Sequence, residues 1–197
     1  MPVSMEFEKR VMLSEEQYFK LVSHYLRINH RYPFIHQTNY YFDTDEMSLR
    51  KEHTVLRLRR ITHKGNELTL KIKGENGDQE ITQDLSIKAT HDLLKKNKFS
   101  SSEVTDALIK RYGNSLNVYH LVAELSTRRL EIKEDDYLVV IDKNEYNGIT
   151  DYNLEIEASN KKRAEEVIHD FCKRFDITYG DKYKGKSTRV FESLKLI

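Results

Sequence analysis

A chain of 197 residues with a formal net charge of +1 has room for one domain of ordinary size. It has no charge excess of the kind that favours nucleic acid or an anionic surface. Charged residues make up 33% of it and hydrophobic ones 38%, a lean core, but 12 tyrosines, 8 phenylalanines and strong apolar patterning exclude a disordered chain.

In chain order, a first strand is expected over 3–12, where Glu6, Glu8 and Arg10 fall at every second position and share one face. Residues 14–28 predict a helix: Ser14 and Gln17 form a capping box, and Phe19, Leu21, Val22, Tyr25 and Leu26 cluster on one side. Strands follow near 37–43, 54–62, 67–74 and 79–87, with the short turns KGN (64–66) and ENGD (75–78) suited to hairpins. A second helix is expected over 101–112, stopped by Gly113, and then strands near 118–132, 136–146 and 150–158. A third helix follows Ser159, with Ala164, Val167, Ile168, Phe171, Cys172 and Phe175 at helical spacing, and a short fourth follows Ser187. Pro2 and Pro33 both lie outside the strands, and no linker or repeat divides the chain, so residues 1–197 are expected to form a single domain. The start Met-Pro-Val-Ser runs straight into charges without a signal-like apolar core, and no apolar run approaches membrane-spanning length; a soluble cytoplasmic protein with no membrane partner is expected.

The charged strand faces carry the functional signal. Arg57 and Arg59 oppose Leu56 and Leu58, Lys71 and Lys73 oppose Leu70 and Ile72, and Glu155 and Glu157 oppose Leu154 and Ile156. For any one strand, a solvated charged face is the simpler reading. Four strands with like-charge pairs are harder to explain that way, because exposed faces tend to avoid or balance such repulsion. A closed antiparallel eight-stranded barrel, with a polar charged interior and helices packed outside, accommodates them in an α+β, β-rich fold. Its carboxylates Glu6, Glu8, Glu155 and Glu157 would need divalent cations, and its cations Arg10, Arg57, Arg59, Lys71 and Lys73 a many-oxygened anion. A polyphosphate bridged by Mg²⁺ or Mn²⁺ meets both needs.

These residues resemble those of the CYTH superfamily, the triphosphate tunnel metalloenzymes. EFEKR (6–10) is similar to that family's ExExK strand, and YYFDTDEMSLRKEHTVLRLRR (40–60) to its aromatic-Asp-Thr and LRxR run. TLKIK (69–73), Arg128, Asp142, LEIE (154–157) and Lys186 follow in the family's order, so that the likeness covers nearly the whole chain. The resemblance implies an eight-stranded tunnel acting on triphosphates, as inorganic triphosphatases, thiamine triphosphatases and class IV adenylate cyclases do. It implies Glu6, Glu8, Asp142, Glu155 and Glu157 as metal ligands, and Arg10, Arg57, Arg59, Lys71, Lys73, Arg128 and Lys186 as the triphosphate cradle. One departure is Arg10, where the family usually has Lys; its planar fork keeps the charge but does not deprotonate.

GDKYKGKS (180–187) matches the P-loop pattern, but only ten residues follow Ser187, too few for the βαβ units a P-loop needs. Lysines 182, 184 and 186 are expected instead to close one end of the tunnel. The histidines lack metal-ligand spacing, Cys172 falls on an apolar helix stripe, and Tyr40 and Tyr41 read as strand packing, with one of them able to face the tunnel. The expected activity is metal-dependent hydrolysis of inorganic triphosphate, with ATP or thiamine triphosphate as other substrates and Glu6, Glu8, Arg57 and Arg59 as the central catalytic residues. Cyclisation of ATP and non-catalytic binding of polyphosphate or a nucleotide are the alternatives.

Overall fold

The computed structural model describes residues 7–74, 79–113, 115–180 and 183–194. In chain order the elements are β1 (Phe7–Leu13), α1 (Glu15–Ile28), β2 (Phe34–Asp43), α2 (Ser48–Lys51), β3 (Thr54–Ile61), β4 (Gly65–Ile72) and β5 (Gln79–Leu85). There follow α3 (Ile87–Lys96), α4 (Glu103–Tyr112), a single 3₁₀ turn at Leu116–Val118, β6 (His120–Lys133), β7 (Tyr137–Tyr146), β8 (Ile149–Ala158), α5 (Lys161–Phe175) and α6 (Lys186–Ser193). The strands make one eight-stranded sheet in the order β1-β8-β7-β6-β2-β3-β4-β5. Its pairs β1–β8, β7–β8, β2–β3, β3–β4 and β4–β5 are all antiparallel. The α+β class and the eight antiparallel strands are as the periodicity predicts; closure of the sheet into a barrel is not seen among the described residues. The ENGD turn expected at 75–78 lies outside them.

The chain divides into two compact units, one from the described parts of Met1–His36 and Thr127–Gly185, the other from those of Gln37–Ser126 and Lys186–Ile197. In the first, Val11, Leu130, Ile132, Val139, Ile141, Leu154 and Ile156 line the apolar strand face and pack beneath Leu21, Val22 and Tyr25 of α1 and Val167, Ile168, Phe171 and Phe175 of α5. Cys172 is buried in this core, and burial pushes its thiol up to about 11, which suits packing rather than nucleophilic work. Helix α1 opens with the expected capping box: Ser14 Oγ accepts from the Gln17 amide at 3.2 Å, and Gln17 Oε1 accepts from the Ser14 amide at 2.9 Å. The Gln17 side-chain amide also donates to the carbonyl of Asp176, the residue capping α5, at 2.7 Å, so one side chain ties the start of α1 to the end of α5.

In the second unit, Leu56, Leu58, Leu68 and Leu70 form the apolar face, covered by Leu49 of α2, Leu93 of α3, and Val104 and Leu108 of α4. Helices therefore lie on the apolar sheet face in each unit, leaving the other face to the polar residues. Helix α2 is too short to stand by propensity. It is held by Asp43, whose Oδ1 accepts from the amides of Thr44 and Leu49 and whose Oδ2 accepts from that of Arg50, at 2.8–2.9 Å. Asp43 is 1% exposed, so Asp43→Ala strands two buried amide donors and one part-buried one and is expected to cost about 2–4 kcal/mol, read as a lowered midpoint in urea. Among the described residues no helix is long and apolar enough to cross a membrane.

Candidate functional site

In the first unit the pairing of β1 with β8 sets Glu8 opposite Glu157 and Arg10 opposite Glu155, on the face turned away from α1 and α5. Carboxylate oxygens of Glu8, Glu155 and Glu157 all come within 4.8 Å of one another. Glu6, in phase with Glu8, lies outside the described residues. The donors are all hard oxygens with neither His nor Cys among them, which fits a hard divalent cation better than a thiophilic or imidazole-preferring ion. Three carboxylates so close together need a counter-charge, and they fit a divalent cation.

Arginine supplies part of that counter-charge. Arg10 Nη2 contacts Glu8 Oε2, and Arg10 Nε lies 3.5 Å from Glu155 Oε1, an ion pair without hydrogen-bond alignment. Burial opposes the Arg10 charge, but Glu155 and Glu8 overcome it and hold the guanidinium above its ordinary pKa. Deeper in the same face, Arg129 grips Asp142 with both arms, Nε to Oδ1 at 2.8 Å and Nη2 to Oδ2 at 2.9 Å, and its Nη2 reaches Glu155 Oε2 at 3.4 Å. Burial again works against the charge, and Asp142, Glu155 and Glu131 more than offset it. Asp142, expected among the ligands, is fully buried, faces the Arg129 guanidinium and lies outside the three-carboxylate group.

A ladder of amides completes the face. Asn153 Nδ2 donates to Glu155 Oε1 at 3.2 Å, Asn144 Nδ2 to Asn153 Oδ1 at 2.8 Å, and Thr127 Oγ1 to Asn144 Oδ1 at 2.8 Å. A buried chain of satisfied neutral donors of this kind fixes the carboxylate at its end without adding charge.

Arg128, expected in the cradle, does not join this face. Leu130 and Ile132 lie in phase with it and pack in the helix-covered core, and its guanidinium stacks 3.8 Å from the centroid of Phe34. The residue that reaches the carboxylates is its neighbour Arg129, because a one-residue step along a strand changes face. The phase of Leu130 and Ile132 was the signal that could have found it.

In the second unit β3 directs Arg57 and Arg59 to the polar face. Arg59 Nε donates to Asn39 Oδ1 at 3.0 Å, and Glu67 Oε1 lies 3.2 Å from Arg59 Nη1 and 3.6 Å from Arg57 Nη2. Glu80 sits 3.7 Å from both Arg57 Nη2 and Lys71 Nζ. The basic face is therefore interleaved with acids that sequence reasoning missed, although Glu67 is in phase with Lys71 and pairs across from Arg59. Lys73 follows the end of β4 and is exposed.

Tyr41 is 3% exposed. Burial raises its pKa, opposed by the positive charges of Arg57, Lys186, Arg59 and Arg189, so that four cations surround one phenol. Lys186 opens α6, as the fourth expected helix requires, and Arg189 is a buried cation that sequence reasoning did not single out. Phe191 docks this helix, 5.7 Å from the Tyr41 ring and 5.5 Å from the Arg50 guanidinium. Tyr41 thus faces the polar side, whereas Tyr40 packs against the leucine core. Of the other two lysines expected near Lys186, Lys184 is exposed and Lys182 lies outside the described residues. The element before GDKYKGKS is helix α5, not a strand, which agrees with rejecting the P-loop.

The chain matches the CYTH domain family over residues 4–185. It is 31% identical over 194 residues to YjbK of Bacillus subtilis (strain 168), named a candidate triphosphatase, covering 98% of this chain and 97% of that protein. A solved structure from Bacillus halodurans, named a candidate adenylate cyclase, superposes with a TM-score of 0.83 at 30% identity, over 95% of this chain and 98% of that one. A Hippeastrum protein named a candidate adenylyl cyclase with a dominant triphosphatase activity shares the fold, with a TM-score of 0.75 at 21% identity over 98% of each chain.

Proposed function

The chain belongs to the CYTH domain family, the triphosphate tunnel metalloenzymes, and from that membership we propose that it is a metal-dependent triphosphatase acting on inorganic triphosphate. The observation that carries the reading is the group formed by Glu8, Glu155 and Glu157. Anion binding alone has no use for three adjoining carboxylates, whereas a divalent cation does. With Glu6 as a fourth member, these residues would hold Mg²⁺ or Mn²⁺. When bound, such a cation neutralises phosphate oxygens and acidifies a water molecule.

The chain's own cations do the rest of the work in this proposal. Arg57, Arg59, Lys71, Lys73 and Lys186 bind the phosphate oxygens and stabilise the charge that develops as the anhydride bond breaks. Water adds to the terminal phosphorus, and orthophosphate and pyrophosphate leave. Asp142 serves as the partner of Arg129 rather than as a ligand. The proposal includes closure of the sheet into the family's tunnel and a single catalytic domain over residues 1–197.

The test is orthophosphate release from inorganic triphosphate with Mg²⁺ or Mn²⁺, with and without chelator, alongside ATP. Release from triphosphate that stops on chelation is the expected result. Cyclic AMP from ATP would instead identify a cyclase. No product from either, with triphosphate still raising the melting temperature, would identify a binding protein.

A further inference from the structure

We propose that Arg10 is a tethered counter-ion that competes with the divalent cation for Glu8 and Glu155, and so sets how tightly this chain holds metal; the inference rests on the metal-site reading above. Arg10 contacts Glu8 through Nη2 and approaches Glu155 through Nε at 3.5 Å. Those are two of the three carboxylates available to a cation. The arrangement follows from strand register, since Arg10 sits directly across from Glu155 and two residues along from Glu8 on the same face. The far side of the guanidinium rests 5.6 Å from the centroid of the Tyr183 ring, which favours a cation there.

A carboxylate oxygen engaged by a guanidinium presents less charge to a metal, and the guanidinium itself repels a dication a few ångströms away. Metal entry therefore requires Arg10 to release Glu8, Glu155 or both. The Arg10 and Glu8 side chains are 32% and 38% exposed, so water reaches the pair and the exchange does not require opening the core. The planar fork spans both carboxylates at once. A lysine at this position would engage them with one compact charge on a flexible stem. The arginine thus gives this chain a metal-free state that is better neutralised, at the expense of metal affinity.

The test is Mn²⁺ titration of the full chain without any phosphate, following free Mn²⁺ by its paramagnetic resonance, with thermal unfolding as a second readout. R10K is expected to bind Mn²⁺ several-fold more tightly than the unsubstituted chain, and R10Q at least about tenfold more tightly. Metal-free R10Q should melt at a lower temperature, and Mn²⁺ should raise its melting temperature more than that of the unsubstituted chain. If R10Q does not fold without metal, R10K carries the comparison. Mn²⁺ binding that E8Q abolishes but R10K and R10Q leave unchanged or weaker overturns the role of Arg10 and leaves the metal site standing. Absence of binding in the unsubstituted chain and both Arg10 variants overturns the metal site itself, and this inference with it.

Discussion

Glu155→Gln is expected to lower the proposed metal-dependent triphosphate hydrolysis by about a thousandfold or more while leaving the fold in place. The substitution keeps the shape of the side chain and removes one charge. In doing so it breaks the three-carboxylate group formed with Glu8 and Glu157. The buried surroundings tolerate the change because Arg129 keeps its two-armed grip on Asp142 at 2.8 and 2.9 Å. Arg10 likewise keeps its contact with Glu8. Initial rates across a Mn²⁺ series, with melting temperature recorded on the same preparation, check the result. Undiminished turnover at saturating triphosphate would remove Glu155 from the metal-binding set.

Arg129→Met is expected to act mainly on stability, by about 3–5 kcal/mol. The guanidinium is the principal counter-charge of Asp142, which is fully buried, and also reaches Glu155 and Glu131. Without it a buried carboxylate loses its two-armed ion pair, while the amide of Asn153 stays 3.4 Å away. Replacing Asp142 by Asn in the same chain removes the stranded charge, so R129M/D142N should recover a large part of the loss. A double-mutant cycle in urea measures this directly: a coupling energy above about 1 kcal/mol is expected, and additive losses would mean that the pair is not the stabilising unit.

The strands were legible because their pattern is strict. Leu56 and Leu58 in β3, and Tyr152, Leu154 and Ile156 in β8, recur at every second position, and those residues are the ones buried under helices. The helices with clear caps were legible too: Ser14 caps α1 as its sequence suggests, and Gly113 ends α4 in the left-handed region that glycine favours. Helix α3 was missed. Its stripe is thin, with Leu93 the one buried apolar side chain beside Thr90 and Asp92, and Ile87 at its start is exposed, so the segment reads as a continuation of β5. Helix α2 was missed because its cause is not in its own four residues but in Asp43, five positions before it begins.

The acidic half of the site was legible for the same reason as the strands. Glu8, Glu155 and Glu157 sit in phase on neighbouring strands, and register brings them together. The placement of Arg128 was harder to read, since family order locates a position but not the face it serves. The basic half was legible as charge and not as balance, because Glu67 and Glu80 come from β4 and β5, and only pairing reveals which cations they answer.

The burial of Cys172 also provides a native reporter. It is the chain's single thiol and lies within the core that α1 and α5 make with the strands beneath them. A thiol reagent can therefore attack only when that core opens, and the labelling rate counts those openings without any introduced probe. Because the thiol also ionises only at high pH, a pH series separates chemistry from opening. The protein thus offers a direct view of local breathing in the unit that bears the acidic cluster, through the core on the opposite face of the same strands.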